Sequence, residues 1–141
     1  MNNRMKLNVL SSSVAMFAMV CVLVAMAGTA SAGEIAECKA RIDIVRGDVP
    51  TVVLDTQNAD KVRAGLLSKL AAADSKLDLG KRTDAKLKLE DFKTTVEYMR
   101  DATKAKISSG DAALLLKGAP SPRTLIDEGV EGAIICVAGQ E

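Results

Sequence analysis

Histidine and tryptophan are absent from this chain of 141 residues, which holds one tyrosine and two phenylalanines. Without histidine, the commonest general acid–base and a principal nitrogen ligand of zinc are both missing. A CxxCH haem attachment is excluded on the same ground, and no two of the three cysteines stand at CxxC spacing. There is no GxSxG nucleophile elbow, no DxDxDG calcium loop and no glycine-rich phosphate loop. The carboxylates are numerous, but they alternate with lysines along polar helix faces, which is the pattern of solvated, mutually paired surface charge. These absences predict a chain that is not an enzyme and carries neither cofactor nor metal.

What is present begins with a three-zone leader. Arg4 and Lys6 give a short basic start, residues 14–27 form an unbroken apolar run, and Ala30-Ser31-Ala32 offers small side chains at a cleavage site. Basic, apolar and small, in that order, is the pattern of a secretory signal peptide, assigned to residues 1–32. The apolar run is short for a membrane span. Cys21 lies inside that run rather than directly after a cut, which disfavours a lipoprotein. The remaining 33–141 is expected to form one domain without stable membrane insertion. It keeps 17 basic and all 18 acidic residues, a net charge of −1. Nucleic acid is not an expected partner, because phosphate binding needs a concentrated positive field.

Cleavage would leave Cys38 and Cys136, one near each end of the mature chain. In an oxidising exported compartment such a pair persists as a disulfide, and a loop of this length makes the closure strongly stabilising. Their distance in sequence fits a structural staple rather than a redox motif.

Apolar spacing sets the fold class. Val62, Leu66, Leu70, Ala73 and Leu77 recur in steps of three and four, which predicts a helix over 59–79. Asn58 or Asp60 is its candidate cap, and Gly80 suits its end. Ala85, Leu89, Phe92, Val96 and Met99 repeat the pattern, predicting a helix from Thr83, a candidate cap, to about Ala105. A weaker stripe of Ile35, Cys38, Ile42, Val45 and Val49 marks a helix over 34–49, followed by Pro50. Residues 51–54 read as an extended connection with no partner strand. Ser108 or Ser109 opens a short helix through Leu114, Leu115 and Leu116, whose triplet is expected to be covered. A last helix is predicted from about Arg123 to Val137, burying Ile126, Val130, Ala133, Ile134 and Val137. Gly129 and Gly132 within it are expected to permit close packing. Tyr98 is expected to be half-buried beside the core stripe. The sum is an all-α fold, a four-helix-type bundle with an extra short helix and its terminal helices joined by a disulfide.

Residues 60–117 contain GLLSKLAAA, a Gly80 turn, a helix with Leu89, Phe92 and Val96, and KISSGDAALLL. This pattern resembles the FIMAH-type module, a small helical domain of secreted bacterial proteins that accompanies extracellular catalytic domains. The resemblance implies a helical fold and an extracellular setting, and it transfers no catalytic residue. Pro120 and Pro122 interrupt what is a more continuous final helix in that family, and the terminal cysteine pair lies outside its pattern.

Function is expected to reside on the charged exterior of an exported protein, periplasmic or extracellular. Lys81, Arg82, Lys86 and Lys88 form a candidate basic patch for an acidic glycan or anionic surface. The leading expectation is a non-catalytic module that binds a surface, glycan or protein partner. The alternatives are a structural or assembly subunit of an envelope complex, or a carrier of lipid or another small molecule.

Overall fold

A three-to-four-residue apolar repeat leaves each helix with one stripe to bury, and four such stripes share a single core. The computed structural model describes residues 32–119 and 128–139. Five helices occupy them: α1 (Ala32–Asp48), α2 (Ala59–Asp78), α3 (Arg82–Asp101), α4 (Ser109–Lys117) and α5 (Gly129–Ala138). The protein is therefore all-α among the described residues, and a disulfide joins α1 to α5 as the cysteine positions predicted.

The cross-helix links give the topology. Lys39 of α1 meets Asp78 of α2 at 2.5 Å, while Arg46 meets Asp74 at 3.8 Å, so residue numbers rise on one helix as they fall on the other. Between α2 and α3, Lys69 pairs with Asp91 and Lys76 with Asp84, again antiparallel. Cys38 bonds Cys136, and Arg41 meets Glu128, which sets α5 antiparallel to α1. By the same directions α5 runs against α3, to which Lys93–Glu131 ties it at 3.0 Å. The diagonal pairs α1–α3 and α2–α5 have no backbone contact. The result is a closed up-down-up-down ring of four helices, the arrangement that short antiparallel connections favour. Helix α4 packs against α1, α3 and α5.

The core follows the predicted stripes. Leu66, Leu70, Ala73 and Leu77 of α2 and Ala85, Leu89, Phe92, Val96 and Met99 of α3 are all buried. Cys38, Ile42 and Val45 contribute from α1, and Val130, Ala133 and Val137 from α5. Leu115 and Leu116 are buried and Leu114 packs at the margin, so the leucine triplet is covered. No polar or charged residue is buried among the described residues. Burying each Leu, Ile or Phe side chain stabilises the fold by roughly 1.5–3 kcal/mol before entropy is subtracted.

Several local expectations are revised. Helix α3 begins at Arg82, so Thr83 lies inside its first turn and Lys81 holds the N-cap position without a side-chain cap. The cause is Gly80: its φ of 68° turns the chain early enough for the Ala85 N–H to donate to the Lys81 carbonyl at 3.0 Å. Asn58 occupies the N-cap of α2, but its side chain makes no capping bond. Helix α3 stops at Asp101 rather than near Ala105, because Ala102 turns extended and the Lys106 N–H donates back to the Met99 carbonyl. Tyr98 is 69% exposed, not half-buried. It follows the buried Val96 by two residues, about 200° around the helix, and so points outward. The segment before α2 finds one partner after all: Leu54 forms an isolated antiparallel bridge with Ile107. Helix α5 starts at Gly129; Ile126 and the rest of the predicted first turns lie outside the described residues, as do Pro120, Pro122 and the segment assigned to the signal peptide.

Ser108 caps α4, its hydroxyl accepting from the Asp111 N–H at 3.0 Å. The Asp111 carboxylate accepts in turn from the Ser108 hydroxyl at 3.0 Å and from the Val53 N–H at 3.3 Å. Asp111 thereby fastens the 51–54 connection to α4.

Candidate functional site

Each helix advances about 100° per residue, so four basic residues within eight positions cannot all face one way. Lys86 and Lys88 project about 200° apart, on opposite flanks of the buried stripe of α3. Arg82 lies on the flank that also carries Lys93 and faces α5, with its guanidinium 3.9 Å from Glu34 of α1, and Lys86 stands 3.8 Å from Glu90 one turn on. Lys88 follows the other flank, with Asp84 and Asp91, the residues that meet α2. Lys81 and Lys88 are exposed and make no ion pair among the described residues. The candidate patch is thus split between two flanks of α3, with Arg82 and Lys86 each standing near a carboxylate without a hydrogen bond to it.

The disulfide sits where the cysteine positions placed it. Cys38 and Cys136 are bonded with Cα atoms 5.5 Å apart, and Cys38 is wholly buried. Beside it, the groove between α1 and α5 widens into a cleft of about 760 Å³ lined by Glu34, Glu37, Arg41, Arg82, Glu128 and Ile135, with Cys136 and Gly139 completing the wall. Arg41 is its fixed element. Its guanidinium donates to Glu37 at 3.0 Å, one helical turn back, and to Glu128 at 3.1 Å, at the start of α5. The side chain is only 15% exposed. Carboxylates on two sides and burial between them hold a guanidinium in one orientation, which a lone surface pair does not do.

Gly132 makes that arrangement possible. A Cβ there would stand 2.4 Å from the Glu128 Cβ, 2.9 Å from its Oε2 and 3.3 Å from an Arg41 terminal nitrogen. A side chain at 132 would therefore displace the Arg41–Glu128 pair. Small residues at 129 and 132 do permit close approach, as expected, but at 132 what approaches is a charged pair rather than a neighbouring helix backbone.

Elsewhere the charges brace the ring. Hydrogen bonding to Asp78 raises the pKa of Lys39, assisted by the nearby Asp74. Glu131 does the same for Lys93. Arg100 and Asp101 form a two-point pair between sequence neighbours, which raises the arginine and lowers the aspartate. No group of three histidine, cysteine, aspartate or glutamate side chains among the described residues is placed to hold a metal ion. No helix among them is long and apolar enough to cross a membrane.

Sequence reading did not single out the cleft. Glu37 and Arg41 could be recognised as an i, i+4 pair, but Glu128 lies 87 residues from Arg41 and arrives only through the ring topology. No described protein family, curated protein or solved structure matches this chain.

Proposed function

We propose that this chain is an exported, non-catalytic helical module that recognises a partner, a surface glycan or a protein, through its charged exterior. The observation that carries the reading is the division of the molecule: the core is wholly apolar, and no described charged residue is fully buried in it. The non-catalytic part of the reading is supported by the sequence, which holds no histidine, no GxSxG elbow and no glycine-rich phosphate loop. Export is supported by the three-zone leader and by a disulfide that a reducing cytosol would not preserve. The FIMAH-type pattern over 60–117 supports the same extracellular setting.

The test is sedimentation of the purified mature domain, disulfide intact, with isolated cell-envelope fractions and insoluble polysaccharides. The proposal expects saturable co-sedimentation that weakens as salt rises. A protein left in the supernatant with every fraction at low salt would refute it.

A second reading, an assembly subunit of an envelope complex, has one observation in its favour. Leu87 and Tyr98 both protrude from the outer side of α3, spaced by three helical turns. Stable co-purification with envelope proteins would support it over the first. Carriage of an apolar lipid fits the cleft less well, since five of the eight residues lining it are charged.

A further inference from the structure

The cleft beside the disulfide carries both signs of charge in an unequal balance. Two arginines and three glutamates line it, a net charge of −1. Arg41 already donates to two carboxylates, Glu37 and Glu128, so a single positive charge there faces two negative ones. Each of those carboxylates uses one oxygen on Arg41. The other oxygen of each accepts from no described residue, and both side chains are more than half exposed. This end of the cleft therefore favours a cation with several N–H donors.

Arg82 differs. Its guanidinium makes no hydrogen bond among the described residues, and the nearest carboxylate oxygen, on Glu34, stands at 3.9 Å, beyond hydrogen-bond reach. Its Nε is buried, so the exposed share of the side chain lies on its other atoms. A ligand carboxylate at bidentate distance would hold this guanidinium better than Glu34 does. A simple anion gains little in a cleft of net negative charge, and a simple cation leaves Arg82 unused. A molecule carrying both charges satisfies both ends. The exposed Ile135 supplies apolar wall for a side chain, and the volume is in the range of small-molecule sites.

We propose that this cleft binds a zwitterionic ligand, an amino acid or a short peptide, its carboxylate on Arg82 and its ammonium on Glu37 and Glu128. This goes beyond the surface-recognition reading, since it gives the cleft a small-molecule ligand of its own. The cleft supplies the recognition, and the disulfide fixes its α1 and α5 walls.

The experiment titrates the disulfide-bonded protein with L-leucine and with leucyl-leucine, following backbone amide shifts by NMR and heat by calorimetry. Saturable binding of either probe is expected, with shifts confined to residues 34–41, 82 and 128–139. Binding of leucine alone identifies free amino acids as the ligand source, and binding of the dipeptide alone identifies peptide termini. N-acetyl-leucine and leucinamide, with their counterparts for the dipeptide, should each bind at least tenfold more weakly than the parent. Arg82→Gln should weaken binding at least tenfold while leaving the melting curve close to wild type, and Lys88→Gln should change neither. Absence of saturable binding by both probes, blocked probes that bind as well as their parents, or an Arg82→Gln protein that binds like wild type would each overturn the proposal. Envelope co-sedimentation is read separately: its persistence alongside a negative titration defeats this inference alone. The reverse result defeats the broader reading.

Discussion

Gly129 is where one added methyl group should do the most damage. It opens α5 with φ of 56°, and a Cβ there would lie 2.6 Å from the Leu116 carbonyl carbon and from the backbone nitrogens of Lys117 and Gly118. Those are backbone atoms at the end of α4, which cannot swing aside as a side chain can. Two costs add for Gly129→Ala. The left-handed conformation costs an L-residue about 1–2 kcal/mol, and forcing packed backbone apart costs about 1–3 kcal/mol more. Gly80→Ala is the internal control: φ there is 68°, but nothing lies within 4 Å of the new Cβ. Only the conformational cost applies to it. Thermal unfolding followed by circular dichroism should therefore show Gly80→Ala lowered by roughly 5–10 °C and Gly129→Ala by roughly 10–25 °C, at about 4–8 °C per kcal/mol for a domain near this size. Equal losses for the two variants would refute the reasoning, since they would show that the α4–α5 junction is not closely packed at Gly129.

Phe92→Ala should destabilise by about 3–5 kcal/mol in urea titration, because a fully buried ring leaves a cavity. Tyr98→Ala, six residues along the same helix but exposed, should stay within about 0.5 kcal/mol of wild type; similar losses for the two would contradict the assigned face of α3. Ser108→Ala should cost about 1 kcal/mol by loss of the α4 cap, and an unchanged urea midpoint would remove that cap from the account. The pKa of Lys39 is raised above 10.5, chiefly by its hydrogen bond to Asp78. Its contribution is thus complete below the unfolded value and lost as pH rises through the folded one. Between about pH 9 and pH 12, wild type should lose more stability than Lys39→Met, and parallel pH profiles would count against the Lys39–Asp78 link.

How much of this was legible beforehand depended on the range of the signal. The α3 stripe from Ala85 to Met99 is all buried, because five apolar residues at helical spacing leave a helix only one face to bury. Val62 and Ile134 were read into the same stripes yet are only partly buried: Val62 lies in the first turn of α2, and Ile134 stands at the edge of the face that Val130, Ala133 and Val137 bury. Tyr98 shows the limit of reading by adjacency: it neighbours the stripe in sequence but stands far round the helix. Thr83 shows another limit, as a good capping residue was overtaken by a glycine turn three residues earlier. The cysteines could be paired in advance because only Cys38 and Cys136 lie outside the apolar run near the start of the sequence. The cleft could not be read in advance, for Arg41, Arg82 and Glu128 share no local pattern. They become neighbours only once α1, α3 and α5 are arranged in the ring.

The central claim is that a sulfur bridge between α1 and α5 closes a ring of helices around an apolar core. Its most direct test is the thermal unfolding, by circular dichroism, of the protein carrying Cys38→Ala with Cys136→Ala beside wild type. Closure of a loop of 98 residues is worth up to about 4–5 kcal/mol. The variant should therefore remain helical at room temperature and melt roughly 10–25 °C lower. Superimposable melting curves, or a variant with no helical signal at all, would contradict it.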